Sequence, residues 1–499
     1  MPRSATRSTP LFAGFQRRLF GTPPRSALEK LLPPEEALRG ASQLRSACGD
    51  LVPDHLLPRA PSQANSRRRL FTPLVTFWAF LAQVLAGSSC REAVRGLLAQ
   101  LPVRPGDALD ALSACSANTA AYCRARARLP LAMLEKICAS LATRLASEMP
   151  MDALWCGRRV RLIDGSTASM PDTAENQARW PQSSCQQPGC GFPALRMVGL
   201  FCLHSGALLQ RLHGALKDSE QSMARQLWRR LEKEDVLLGD RGFCSYMDIY
   251  QLLCCGVDTV LRLHAGRNPD FHRDQRLGHN DGLRTWSRPR RDRLACTDEE
   301  YAALPPTLTV RYVRLQETVP GFRSQKIVTV TTLLDPVRYP PSALLDLYRR
   351  RWRIETHWDE CKTTLRLDIL RCRQPSMIEK EVLLHAIAYN LVRALMQRAA
   401  ITHHQPVERI SFKGTLDTLH QFTAVLHAVA AQPRKHAALL AHCLHIIAAD
   451  PLPDRPNRVE PRVVKRRPKA YDRLKVPRHQ TKAKQAARRH APPPEPTLS

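Results

Sequence analysis

No two cysteines in this chain stand at the CxxC spacing of a zinc ribbon or a thiol redox motif, although sixteen are present. Cys185 and Cys190 (CQQPGC) come nearest, and with no second pair beside them a four-cysteine zinc site is excluded. The expectation is free, buried thiols in a reducing cytosol. Long apolar runs are missing too. The longest uncharged stretch, Leu70 to Ser89, is interrupted by Thr72, Pro73, Thr76 and Gln83, which predicts a buried helix and no membrane span. No secretory signal is visible; the opening residues are rich in Arg and Ser but form no clear amphipathic helix. Acid is the scarcest resource, with 45 Asp and Glu against 75 Lys and Arg, a net charge of +30 and a pI near 10.1. Such an excess draws a polyanion through long-range attraction and counterion release. Without a membrane anchor, nucleic acid is the leading partner.

The chain changes texture along its length. Residues 1–66 are rich in Pro and Arg, with at most a helical turn or two at Ala27–Leu32, and are expected to be poorly ordered. Residues 67–150 show helical periodicity: Tyr122, Leu129, Leu134, Ile137 and Leu141 form a stripe, with Arg124, Arg126 and Arg128 pointing elsewhere. That region reads as a helical, basic, DNA-binding domain, with a merely solvated basic face as the equal alternative. Residues 151–265 run strand, hairpin, helix, strand, helix, strand, with Ser205-Gly206 as the hairpin signal, an α/β layout with a mixed sheet. Residues 266–335 read as a β-rich insertion, and 336–400 as the resumption of the α/β unit. A helical region at 401–450 precedes a tail, 451–499, in which the stretch Arg455–Arg489 holds fourteen Lys and Arg against Glu460 and Asp472.

Three acids stand out. Asp164 follows one apolar run and Asp240 another, each with a glycine within two residues, so the backbone is expected to turn sharply there. In open α/β sheets, strand ends are where active sites form. The third, Glu355, lies in LYRRRWRIETHWDECK (347–362) among a crowd of cations. At about 100° per residue, Tyr348, Arg351, Glu355 and Lys362 fall within an arc of roughly 60°. Leu347, Ile354, Trp358 and Leu365 form an adjacent apolar stripe. Taken alone, Arg351 and Glu355 are an ordinary i, i+4 pair. Three carboxylates brought together, however, suit a pair of divalent cations that activate water or a 3′-hydroxyl and stabilise the leaving oxygen of a phosphodiester. His357 lies on the far side of the helix and reads as a surface residue. Asp359, one turn on, is the rival for the third ligand, ranked below Glu355.

In these motifs the chain resembles the DDE transposases of bacterial insertion elements, specifically the insertion sequence 4 family. The signature Tyr-x2-Arg-x3-Glu-x6-Lys is met by Tyr348, Arg351, Glu355 and Lys362, with Asp164 in Asp-Gly-Ser and Asp240 in Asp-Arg-Gly-Phe. The likeness runs on through CREAV (90–94), TAAYCRARARLP (119–130) and RISFKGTLDTL (409–419), covering about residues 70 to 475. It implies an RNase H-like core carrying a β-rich insertion, two Mg²⁺ (or Mn²⁺) ions on Asp164, Asp240 and Glu355, and cut-and-paste transposition. It also implies that Tyr348, Arg351 and Lys362 grip phosphates, that a dimer bridges the terminal inverted repeats before joining them to target DNA, and a bacterial, nucleoid-associated setting. Arg241 is a further phosphate candidate, and Trp286 the candidate for stacking on a displaced base, weighed against a plain core tryptophan.

Three other readings compete. A hydrolysis-only nuclease would share the fold and the metals. A catalytically silent DNA-binding descendant would be favoured by loss of any acid, and all three are present. A basic structural or membrane-surface protein leaves the placement of the acids unexplained.

Overall fold

The computed structural model of the chain describes residues 43–57, 70–99, 118–148, 150, 153–264, 266–267, 269–271, 275–294, 296–317, 325–453 and 474–483. Most of the expected flexible N-terminal segment and of the basic tail lies outside them. Within 43–57 a short helix, Gln43–Cys48, buries Leu44, Ala47 and Cys48. The apolar run after Leu70 forms helix α1 (Pro73–Ala86). Thr72 caps it by accepting from the Val75 N–H at 3.3 Å, Pro73 occupies the first turn, and Gly87 ends it in the left-handed conformation. Its Phe77, Trp78, Phe80 and Leu81 are at most 2% exposed. Each contributes about 1.5–3 kcal/mol of burial, so α1 is a core helix. Among the described residues no single helix is long and apolar enough to cross a membrane.

The helical periodicity beyond α1 is realised as α2 (Cys90–Ala99), α3 (Ala120–Arg128) and α4 (Leu131–Ser147), with 100–117 outside the described residues. Arg126 departs from expectation. It is buried, donates to Gln83 Oε1 at 3.3 Å and lies over the Phe80 and Tyr122 rings, while Arg124 and Arg128 are exposed. A guanidinium with aromatic faces and an amide to satisfy it is stable inside. Residues Met1–Met133 and Leu419–Leu440 form one compact unit, and Leu134–Thr418 with Ala441–Ser499 the other.

The second unit is built on a nine-stranded sheet of order β3-β2-β1-β4-β5-β9-β8-β7-β6. Its strands are β1 (Val160–Ser169), β2 (Ala194–Cys202), β3 (Leu208–Ala215), β4 (Val236–Gly239), β5 (Asp258–Arg262), β6 (Gln275–Gly278), β7 (Asp281–Ser287), β8 (Thr307–Glu317) and β9 (Gln325–Thr331). β1, β2 and β3 pair antiparallel; β4 runs parallel to β1, and β5 parallel to β4. This antiparallel triplet continued by two parallel strands is the RNase H-like core. The insertion makes no sheet of its own: β9 pairs antiparallel with β5, and β8, β7 and β6 extend the same sheet outward.

The hairpin at Ser205-Gly206 is present, with Gly206 at φ 70°. The first helix after the hairpin is a short α5 (Glu220–Arg225) followed by a 3-10 turn, Trp228–Arg230. α6 (Tyr246–Cys254) connects β4 to β5. The segment after the insertion is α7 (Pro341–Arg349), a 3-10 turn (Arg350–Trp352), α8 (Arg353–Asp359) and a π turn (Glu360–Thr364). The long α9 (Pro375–Thr402) follows, buried on nearly every side, then α10 (Phe412–Ala428) and α11 (Pro433–Ala449). A helix so enclosed is a core element rather than an amphipathic cover.

Candidate active site

The strand register places the first two acids. Leu162 pairs with Leu238 across the parallel β1/β4 ladder, so the same register carried on two residues sets Asp164 beside Asp240 on one face. Gly239 ends β4, and Asp240 caps the 3-10 turn Arg241–Phe243 by accepting from the Gly242 N–H at 2.7 Å. Asp164 is different from expectation. It lies in the middle of β1, which continues straight through Gly165 to Ser169. The glycine makes no turn; a Cβ there would stand 2.4 Å from the Glu220 carboxyl carbon, so Gly165 leaves room for a fourth carboxylate. Sequence reading missed Glu220, because only the fold brings the start of α5 against β1. It is held by Arg196 at 3.8 Å.

Asp164 bears the mark of this crowding. Burial, the Asp240 carboxylate and Glu220 push its carboxyl up to about 6, against the pull of the Gly165 N–H (2.9 Å) and Arg351. Two neighbouring carboxylates resist carrying full charge together, and a nearby cation would relieve them.

Glu355 sits in the first turn of α8 with a half-exposed side chain, 3.5 Å from Arg351. Arg351 is itself 12% exposed and lies over the rings of Trp352 (4.9 Å) and Tyr348 (5.9 Å). The guanidinium thus pairs with Glu355 and also acts electrostatically on Asp164. Tyr348 is buried, and burial raises its phenol above the ordinary value despite Arg351 and Arg262 nearby. Among the described residues no three His, Cys, Asp or Glu side chains form a group able to hold a metal ion. The paired aspartates do offer hard carboxylate oxygens of the kind a divalent cation takes, whereas Glu355 is engaged with Arg351.

The other candidates are placed as follows. Lys362 is half-buried on the π turn, and Arg241 is exposed directly after Asp240. Asp359 is exposed and accepts from the Thr363 hydroxyl at 2.6 Å, so it is tied to its own helix. Trp286 does not reach the surface. It is 3% exposed, donates to the Tyr312 hydroxyl at 2.7 Å and is covered by Arg267 at 3.7 Å, so the plain core reading is the one the structure bears out. The exposed aromatic of this region is Trp352, at 52%. His357 is also corrected. It is buried and stacked on Phe201 at 5.6 Å, neither a ligand nor a surface residue. Among the described residues no disulfide links Cys185, Cys190 or any other cysteine.

Residues 155–391, which contain all three acids and the Tyr-Arg-Glu-Lys set, match the family described as the transposase DDE domain. The chain is also 27% identical over 322 residues to the transposase InsG for insertion sequence element IS4 of Escherichia coli (strain K12). That alignment covers 64% of this chain and 70% of the relative. Residues 155–391 thus match a transposase DDE domain, and the chain is similar to transposases of the insertion sequence 4 type. A looser likeness exists to the piggyBac transposase in a synaptic complex with hairpin DNA. It has 10% identity and a TM-score of 0.39, and covers 85% of this chain and 86% of that one.

Proposed function

We propose that this transposase binds the terminal inverted repeats of the element that encodes it, nicks each end by hydrolysis and joins the freed 3′-hydroxyl to target DNA. Asp164, Asp240 and Glu355 are the catalytic carboxylates, with Mg²⁺ as the natural metal and Mn²⁺ as a substitute. The observation that carries this reading is the Asp164–Asp240 pair, two carboxylates side by side with one pushed up to about 6. Bound divalent metal supplies activation of the attacking hydroxyl and stabilisation of the leaving oxygen.

The chain's own residues do the rest. Asp164 from the middle of β1 and Asp240 from the turn that follows β4 would hold the cation side of the site. Glu355 completes the set once Arg351 turns from it toward a DNA phosphate, an exchange of one anionic partner for another. Lys362 and Arg241 add phosphate contacts on either side, and Tyr348 backs Arg351 from the core. Arg124 and Arg128 on α3 give the helical N-terminal unit an exposed basic face for the element end. A homodimer bridging two ends, working on the bacterial nucleoid, completes the proposal.

A Mg²⁺-dependent cleavage assay tests it. Purified protein is incubated with a labelled duplex carrying the element ends, in parallel with Asp240→Ala. Cutting at the element boundary by the wild type alone is expected; equal cutting by both proteins would sink the assignment.

A further inference from the structure

Glu355 and Lys362 are carried on a helix whose own winding is irregular. α8 is only seven residues long, entered through a 3-10 turn and left through a π turn. The first is tighter than an α-helix and the second wider, so the hydrogen-bond ladder alone leaves the rotation of α8 about its axis loosely defined. Its inner face packs through Ile354, His357 and Trp358, and the two rings lie against Phe201. Such contacts are non-directional and tolerate sliding.

Directional contacts hold this segment at two places: Arg353 pairs with Glu408 at 3.0 Å where both side chains are partly exposed, and the second is buried. Glu360, the first residue of the π turn, forms a buried ion pair with Arg393 of α9, whose side chain is 5% exposed. The same guanidinium donates to His357 Nδ1 at 2.6 Å and, through Nε, to the Tyr389 hydroxyl at 3.0 Å. Tyr389 in turn donates to the Gly206 carbonyl at 2.7 Å. Gly206 has no room for a side chain: a Cβ would stand 2.7 Å from Arg393 Cζ and 2.9 Å from His357 Cε1. The network thus ties α8, α9 and the β2–β3 hairpin at one point. An ion pair so enclosed rarely adds stability beyond what well-packed apolar residues provide, and is best justified by the geometry it specifies.

We propose that Glu360 and Arg393 are positioning residues of the strand-cleavage reaction: their buried ion pair sets the rotation of α8 and so aims Glu355 at the Asp164–Asp240 pair. Neither touches DNA or the reacting atoms. The inference rests on Glu355 being catalytic, and the experiment separates the two ideas.

The variant that removes the pair without leaving a lone buried charge is Glu360→Leu/Arg393→Met. With the full-length protein and a labelled duplex carrying an element end, binding, single-turnover cleavage in Mg²⁺ and hydrogen exchange are measured. The expected result is cooperative melting, DNA affinity within about 3-fold of wild type, and a cleavage rate lower by about 100-fold, the scale of a 1 Å misplacement. Exchange should quicken in residues 353–364 and stay unchanged in the sheet. A folded double variant that cuts within about 3-fold of wild type overturns the proposal. Should it fail to melt cooperatively, Glu360→Gln decides: a rate at least about 10-fold down with affinity intact supports positioning, and a wild-type rate refutes it. Glu355→Ala in the same assay tests the underlying assignment. If that variant still cuts, the assignment fails, whatever the double variant does.

Discussion

Replacing Asp164 by Asn should make the metal-free protein more stable above pH 6 while removing its activity. The carboxyl rises from 3.8 to about 6 on folding, chiefly through burial. A shift of about 2 units corresponds to about 3 kcal/mol. The sign follows from the direction. A folded-state value above the unfolded one means the fold prefers the proton, so the associated stability is full below about 4 and is lost as pH rises through about 6. The uncharged amide of the variant still accepts from the Gly165 N–H and escapes that loss. Melting temperatures of both proteins in chelator, from pH 4 to 8, measure it: the variant's advantage should grow by several °C between pH 4 and 7 and then level off. Added Mg²⁺ should raise the wild type at pH 7.5 and leave the variant nearly unmoved. A difference that stays flat across the range would refute the claim that folding crowds this carboxylate, and with it the physical case for a cation there.

Further outcomes follow from other contacts. Glu355→Ala and Asp240→Asn should leave DNA affinity within a few-fold and abolish cutting, as read by gel shift and cleavage of one duplex. Lys362→Ala should weaken end binding and lower the slope of log affinity against log salt by about one charge. Arg311→Met should destabilise the second unit by about 3–5 kcal/mol, visible as an earlier thermal transition. Arg311 is fully buried and holds Asp281 through bonds of 2.8 and 2.6 Å, so the substitution strands a buried carboxylate. Gly206→Ala should lower the melting temperature too, because φ 70° and the Arg393 guanidinium both oppose a side chain.

Much of the fold was legible because its signals are local. The apolar runs before Asp164 and Asp240 became β1 and β4, and the hairpin pair Ser205-Gly206 turned as its residues demand. The stripe of Leu347, Ile354, Trp358 and Leu365 is at most 6% exposed. What failed to show were residues whose surroundings come from far along the chain. Arg126 is buried by Gln83 of another helix, Trp286 by Arg267 and Tyr312, and His357 by Arg393 and Phe201. A periodicity argument assigns such side chains to a face but does not know what covers it. Gly165 shows the same limit: Asp-Gly is a turn signal locally, and only Glu220, delivered by the fold, makes it a packing requirement within a strand.

The Tyr-Arg-Glu-Lys spacing teaches a subtler point. Read at 100° per residue, it gathers four side chains on one face, and the inference assumes uniform winding from Tyr348 to Lys362. The structure breaks that assumption twice. Three residues of 3-10 turn separate Tyr348 from Glu355, and the π turn opens between Glu355 and Lys362. The first over-winds and the second under-winds, so their effects on azimuth oppose each other. The Arg351–Glu355 contact survives at 3.5 Å because it crosses only the first junction. The π turn has no local signature in ECKTT. Its first residue is a glutamate drawn inward by an arginine thirty-three positions away, and a buried carboxylate whose partners Arg393, His357 and Tyr389 lie inside outweighs the small preference for regular winding. On the proposed reading, the spacing of the motif groups residues that act together, and the direction in which they act would be set by Arg393, outside the motif altogether.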